Sequence, residues 1–132
     1  MVTKQYENNI RKYGSNVIYP ELSYVVTGVL FNVHKEIGCF AREKQYGDLI
    51  ENKLKESKID YEREVSIGNS GNILDFIIDK KIILELKATR TIIREYFRQI
   101  QNYLQQTKLE LGLLINFRNK YIKPIRIIRI HS

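Results

Sequence analysis

Ile73-Leu74-Asp75-Phe76-Ile77-Ile78-Asp79-Lys80-Lys81-Ile82-Ile83-Leu84-Glu85-Leu86-Lys87 is the stretch on which the fold turns. Its apolar runs have the length of buried strands, and Asp79-Lys80 makes a tight turn between them. Each run carries one carboxylate, and an unpaired buried carboxylate costs roughly several kcal/mol. Side chains alternate along a strand, so Glu85 and Lys87 share one face while Leu84 and Leu86 take the other. Asp75 shares a face with Ile73 and Ile77. A hairpin could therefore bring Asp75 and Glu85 together. With the Leu86 carbonyl they would offer oxygen ligands to Mg²⁺ or Mn²⁺. Lys87, a compact charge, could hold an attacking water or a scissile phosphate. The plainer reading is an edge strand with a solvated face and an ion pair from Lys87 to Glu85 or Asp75. An acid-x-Lys triplet occurs four times, at Glu51, Glu56, Asp79 and Glu85. Only Glu85 lies in an apolar strand with a second strand acid upstream.

Outward from this hairpin, Glu64 to Ile67 reads as a short preceding strand, joined through Gly68-Asn69-Ser70-Gly71-Asn72. Leu22, Val25, Val26, Val29, Leu30, Val33 and Ile37 recur at helical spacing and Gly38 closes that helix. A second helix is predicted from about Arg42 to Lys58, with Tyr46, Leu49, Ile50 and Leu54 inward. Downstream, Ile93, Phe97, Ile100 and Leu104 mark a helix by their 4-3-4 spacing. Leu111 to Phe117 suits a central strand buried on both faces, and a last strand lies near Ile125 to Ile130. Strand, helix, strand suggests a right-handed parallel crossover from Lys81–Ala88 to Leu111–Phe117. The expected class is α/β, a mixed sheet flanked by helices in the order α-α-β-β-β-α-β-β. Residues 1–20 read as an arm and 21–132 as one domain.

The chain has 132 residues, 43% hydrophobic and 28% charged, which suits one globular domain. No apolar run approaches the ~20 residues of a membrane span, and the polar start lacks a signal-peptide pattern. A cytoplasmic location and no membrane partner are expected. The single cysteine, Cys39, excludes an internal disulfide and a cysteine-based zinc site. A net charge of +7 favours a polyanionic partner without establishing one. Gln99 and Tyr103, four residues apart, share a helix face beside the proposed site. Arg90, Arg94 and Arg98 repeat on and just before that helix and could contact successive phosphates. Their plainer role is a solvated face with a weak pair to Glu95. Glu43 starts the second helix, where a carboxylate is favoured by the free amides. Neither His34 nor His131 has a partner that would give it a chemical role.

Several segments in order resemble the GxxExxY proteins, a group within the PD-(D/E)XK nuclease superfamily. They are Val33-His34-Lys35-Glu36-Ile37-Gly38, Glu43 with Tyr46, Tyr61-Glu62-Arg63-Glu64, Leu84-Glu85-Leu86-Lys87-Ala88, Gln99 with Tyr103-Leu104, and Leu113-Leu114-Ile115-Asn116-Phe117. Phe40 departs from the pattern, standing where the motif has its first Gly, and Leu74 replaces the superfamily's Pro. The resemblance implies a restriction-endonuclease-like core. It makes Asp75 and Glu85 metal ligands, Lys87 the catalytic lysine, and Glu43 an additional acid. Gln99 and Tyr103 look like the Gln-x-x-x-Tyr element of RecB-like nucleases. The expected function is Mg²⁺- or Mn²⁺-dependent hydrolysis of phosphodiester bonds, most simply in DNA. A Holliday-junction-resolvase-like endonuclease acting as a homodimer, a non-catalytic nucleic-acid-binding module, and a subunit needing a partner protein are the alternatives.

Overall fold

A computed structural model describes residues 17–131. Most of the expected N-terminal arm, residues 1–16, lies outside them. Helix α1 spans Pro20–Ile37, α2 Glu43–Glu56 and α3 Arg94–Thr107. The strands are β1 Tyr61–Ile67, β2 Asn72–Ile78, β3 Ile82–Lys87, β4 Leu111–Asn116 and β5 Ile125–Ile128. They form one sheet in the order β1-β2-β3-β4-β5. Only the β3–β4 pair is parallel; the other three are antiparallel. Helix α3 makes the crossover between those parallel strands.

The sheet has a core on each face. Leu84, Leu86, Leu113 and Ile115 pack with Val26, Leu30, Val33, Tyr46, Ile50 and Leu54 of α1 and α2. Ile83 and Leu114 pack on the other face with Ile100, Tyr103 and Leu104 of α3. All six residues of β4 are buried, as a strand covered on both faces requires. Gly112 belongs there for a steric reason. A Cβ at that position would stand 2.6 Å from Ile100 Cγ2, so the missing side chain lets α3 approach β4.

Asp79 and Lys80 both have positive φ, 51° and 53°, and the Lys81 amide donates to the Ile78 carbonyl at 3.0 Å. This primed turn matches the twist of a hairpin, and the polar pair tolerates it. Strand β1 starts three residues earlier than its apolar residues suggest. Tyr61 and Arg63 are tied to α2 instead: the Tyr61 hydroxyl donates to Glu51 at 2.5 Å, and the Arg63 guanidinium to Asp48 at 2.7 Å and Glu51 at 3.0 Å. Gly47 leaves room for that guanidinium.

The α3 stripe needs correction. Ile93 is 46% and Phe97 37% exposed, while Tyr103 is 1% exposed. The inward line runs through Tyr96, Ile100, Tyr103 and Leu104, rotated from the expected one. Both lines have helical spacing. Tyrosine can bury its ring beside the carboxylates because its hydroxyl remains useful there, so polarity misled the choice.

Candidate active site

The β2–β3 ladder runs through Ile78↔Ile82, Ile77↔Ile83 and Phe76↔Leu84, then stops. The next pair would be Asp75 opposite Glu85. There the strands part, and side chains replace the missing ladder bonds. The Asp75 amide donates to Glu85 Oε1 at 2.8 Å. The Leu86 amide donates to Asp75 Oδ2, also at 2.8 Å. Each carboxylate thus accepts an amide from the opposite strand. One oxygen of each is engaged by these bonds. Glu64, which falls between the paired residues Arg63 and Val65, adopts a left-handed φ of 55°. The backbone deviation is local to this sheet opening.

The electrostatics follow from burial. Glu85 is only 3% exposed. Desolvation first, and the Asp75 charge second, push its carboxyl up to about 8, against the Asp75 amide and Lys87. Desolvation also raises Asp75, while the Leu86 amide, Lys87 and Arg63 oppose that rise. Lys87 is half-buried on the Glu85 face, with its ammonium 4.4 Å from the centroid of the Tyr96 ring. This contact holds the cation at the strand end by a cation–π interaction.

Glu43 occupies the first position of α2. Its carboxyl is raised, chiefly by desolvation, with Lys87 opposing and Asp75 adding to the rise. It stands with Asp75, Leu86, Arg63 and Glu64 around a cleft of 230 Å³. Its charge is felt by Asp75, Glu85 and Lys87, which places it at the edge of the same electrostatic cluster. The preceding turn is fixed by Tyr46. Its hydroxyl donates to the Gly38 carbonyl at 2.5 Å and accepts the Ala41 amide at 3.2 Å. Its ring stacks on Phe117 at 4.1 Å.

From the other face, the Tyr103 hydroxyl is pushed up to about 12, by desolvation and then by the charges of Glu85 and Asp75. It lies 3.5 Å from the Ile73 carbonyl. Gln99 is half-buried on the same helix and makes no side-chain hydrogen bond with the described residues. Arg90 sits in the bend before α3, so only Arg94 and Arg98 form a helical pair. Arg98 meets Glu95 at 3.1 Å in an exposed contact.

The sequence singled out neither Tyr96 nor Asn116. Tyr96 precedes Ile100 and Tyr103 by four and seven residues, a signal visible once the helix face is set. Asn116 is buried. Its side chain accepts the Thr89 and Arg118 amides at 3.1 and 3.2 Å and donates to the Thr89 carbonyl at 2.8 Å, fixing the segment after Lys87. A buried Asn ending an apolar strand is the legible clue.

A mixed sheet that opens at paired acids, followed by lysine on the same strand and flanked by helices on both faces, is a restriction-endonuclease-like fold. A family model described as the PD-(D/E)XK nuclease superfamily matches residues 20–130, and the chain belongs to that superfamily. The chain also resembles the solved structure titled "Crystal structure of SSO0001", at a TM-score of 0.51 and 20% identity. That likeness concerns the fold alone. It covers 97% of this chain and 63% of the other, so this chain spans less than two thirds of that one. No curated protein matches the sequence significantly. No helix among the described residues is long and apolar enough to cross a membrane.

Proposed function

We propose that this chain is a divalent-cation-dependent nuclease that hydrolyses phosphodiester bonds, with DNA as the substrate. The reading rests on one observation: the sheet opens where the Glu85 carboxylate accepts the Asp75 amide and the Asp75 carboxylate accepts the Leu86 amide, with Lys87 two residues beyond Glu85. The donor set fits a hard cation that keeps part of its water shell. Asp75 and Glu85 would hold it through oxygens, beside the Leu86 main chain. Mg²⁺ or Mn²⁺ bound there would supply charge neutralisation at the phosphate and acidify a nearby water.

The remaining work falls to the chain's own groups. Lys87, steadied by Tyr96, stabilises charge developing on the phosphate. Glu43, which lines the cleft and feels the charge of Lys87, adds a carboxylate beside Asp75. Tyr103 closes the α3 side, keeping bulk water from the carboxylates. Gln99, Arg94, Arg98 and Arg90 lie along the strand-to-helix segment, where their donors reach substrate phosphates and fix its register.

The test is cleavage of labelled single-stranded, duplex and branched DNA and matched RNA by wild type and Lys87→Ala, in Mg²⁺, Mn²⁺ or EDTA. The expected result is metal-dependent DNA cleavage lost in the variant. Binding without cleavage in every metal condition would leave a nucleic-acid-binding module instead.

A further inference from the structure

Beside the cleft is a surface that the hydrolysis itself does not use. Phe40 is 82% exposed, an unusual position for a phenylalanine. Its backbone is nevertheless fixed, because the Tyr46 hydroxyl ties down Gly38 and Ala41 on either side. Arg118 places its guanidinium 5.6 Å from the Phe40 ring centroid. Tyr121 is likewise 82% exposed, and Lys120 lies 5.5 Å from its ring centroid. Lys35, Arg42 and Lys123 are exposed on the same segments. The nearby acid Glu36 is paired with Lys53.

These groups are close to the proposed chemistry by covalent and hydrogen-bonded linkage. Phe40 precedes Glu43 by three residues, which limits their Cα separation to about 11 Å. Arg118 follows Phe117, whose amide donates to the Lys87 carbonyl at 2.9 Å. A rigidly mounted ring, open to solvent and bordered by a guanidinium, suits a nucleobase. The base stacks on the ring while the cations meet its phosphates. A base inside a duplex has both faces covered and cannot stack this way.

We propose that Phe40, with Arg118, is a stacking platform for unpaired nucleobases, so that the substrate carries a single-stranded or frayed segment beside the cleaved bond. Its position relative to the bond rests on the nuclease reading; the stacking itself does not. The chain contains no tryptophan, so Phe40→Trp installs a unique fluorescent reporter. Titrations in EDTA exclude hydrolysis. Oligo-dT and oligo-U should quench the emission of this variant, whereas a blunt duplex of equal length should not. Phe40→Ala should weaken single-strand binding about five- to hundredfold relative to duplex binding. Quenching by both oligomers indicates base stacking alone, and quenching by one adds discrimination between the deoxy and ribo strands. No quenching by either, or equal loss of single-strand and duplex binding, overturns the platform. Quenching of Phe40→Trp, together with a wild-type chain that cleaves no substrate in any metal, would leave the platform standing and remove the nuclease reading.

Discussion

Replacing Glu85 by Gln should stabilise the cation-free protein in alkali while abolishing its response to Mg²⁺. In an unfolded chain this carboxyl titrates near 4.5, and in the fold it is pushed up to about 8. Between those values the folded state binds more protons than the unfolded state, so stability falls as pH rises through that window. Each tenfold change in proton affinity is worth ~1.4 kcal/mol, which makes the full penalty on the order of a few kcal/mol above about pH 8. Glutamine keeps the shape, and its carbonyl can still accept the Asp75 amide that now meets Glu85 Oε1. It carries no proton to lose. Thermal melts in EDTA should show wild type losing stability from about pH 5 to about pH 9, with Glu85→Gln overtaking it by an amount on the order of 10 °C. Mg²⁺ should raise the wild-type Tm in alkali by neutralising the Asp75–Glu85 pair, and leave the variant nearly unchanged. Parallel melting curves at every pH, or equal Mg²⁺ responses, would refute the assignment of the strain to this carboxylate.

Lys87→Ala should lower kcat at least about a hundredfold in a cleavage assay, whereas Lys81→Ala, whose exposed ammonium pairs with Asp79 away from the carboxylates, should not. Tyr46→Phe removes the hydroxyl that holds the Gly38 and Ala41 backbone, and should cost about 1–3 kcal/mol in urea melts while lowering kcat through a displaced Glu43. Gly112→Ala should destabilise by about 1–3 kcal/mol, because its Cβ drives Ile100 and α3 away from β4; an unchanged Tm would contradict that packing. Tyr96→Leu should reduce cleavage severalfold, and Tyr96→Phe should preserve it, since the ring face rather than the hydroxyl meets Lys87.

The strand hairpin and the two-faced β4 were legible because period and apolar length leave few alternatives. The pairing of Asp75 with Glu85 was legible as proximity but not as mechanism. Sequence alternation places them near each other, yet says nothing about where a ladder breaks or which amides the carboxylates then accept. Strand β1 was half hidden because its first four residues carry polar groups, and Tyr61 and Arg63 among them bond to α2. The α3 register failed for a related reason. Ile93 and Phe97 look more hydrophobic than Tyr96 and Tyr103, but the hydroxyl-bearing rings are the ones turned inward. Gly47 and Gly112 carried a signal that no periodicity expresses, since each marks a place where another group comes within contact of the backbone.

The two exchanged hydrogen bonds also explain how such a site can be built before any ion arrives. Splaying β2 from β3 leaves the Asp75 and Leu86 amides without partners, and an orphaned buried amide costs about 1–3 kcal/mol. Placing an acid on each strand satisfies both amides from the opposite side, so the opening is held by the same carboxylates that a cation would use. Burial then keeps Glu85 protonated well above the usual carboxylate range. On the proposed reading, the amides that the opening exposes are satisfied without an ion, and a cation bound there would displace a proton from Glu85. Apparent cation affinity should therefore strengthen as pH rises towards about 8 and level off beyond it. Calorimetric titration of Mg²⁺ in two buffers of different ionisation enthalpy measures this directly. Near neutral pH, binding should release close to one proton per ion, and a proton count of zero would mean that Glu85 is already ionised and that the buried pair is stabilised some other way.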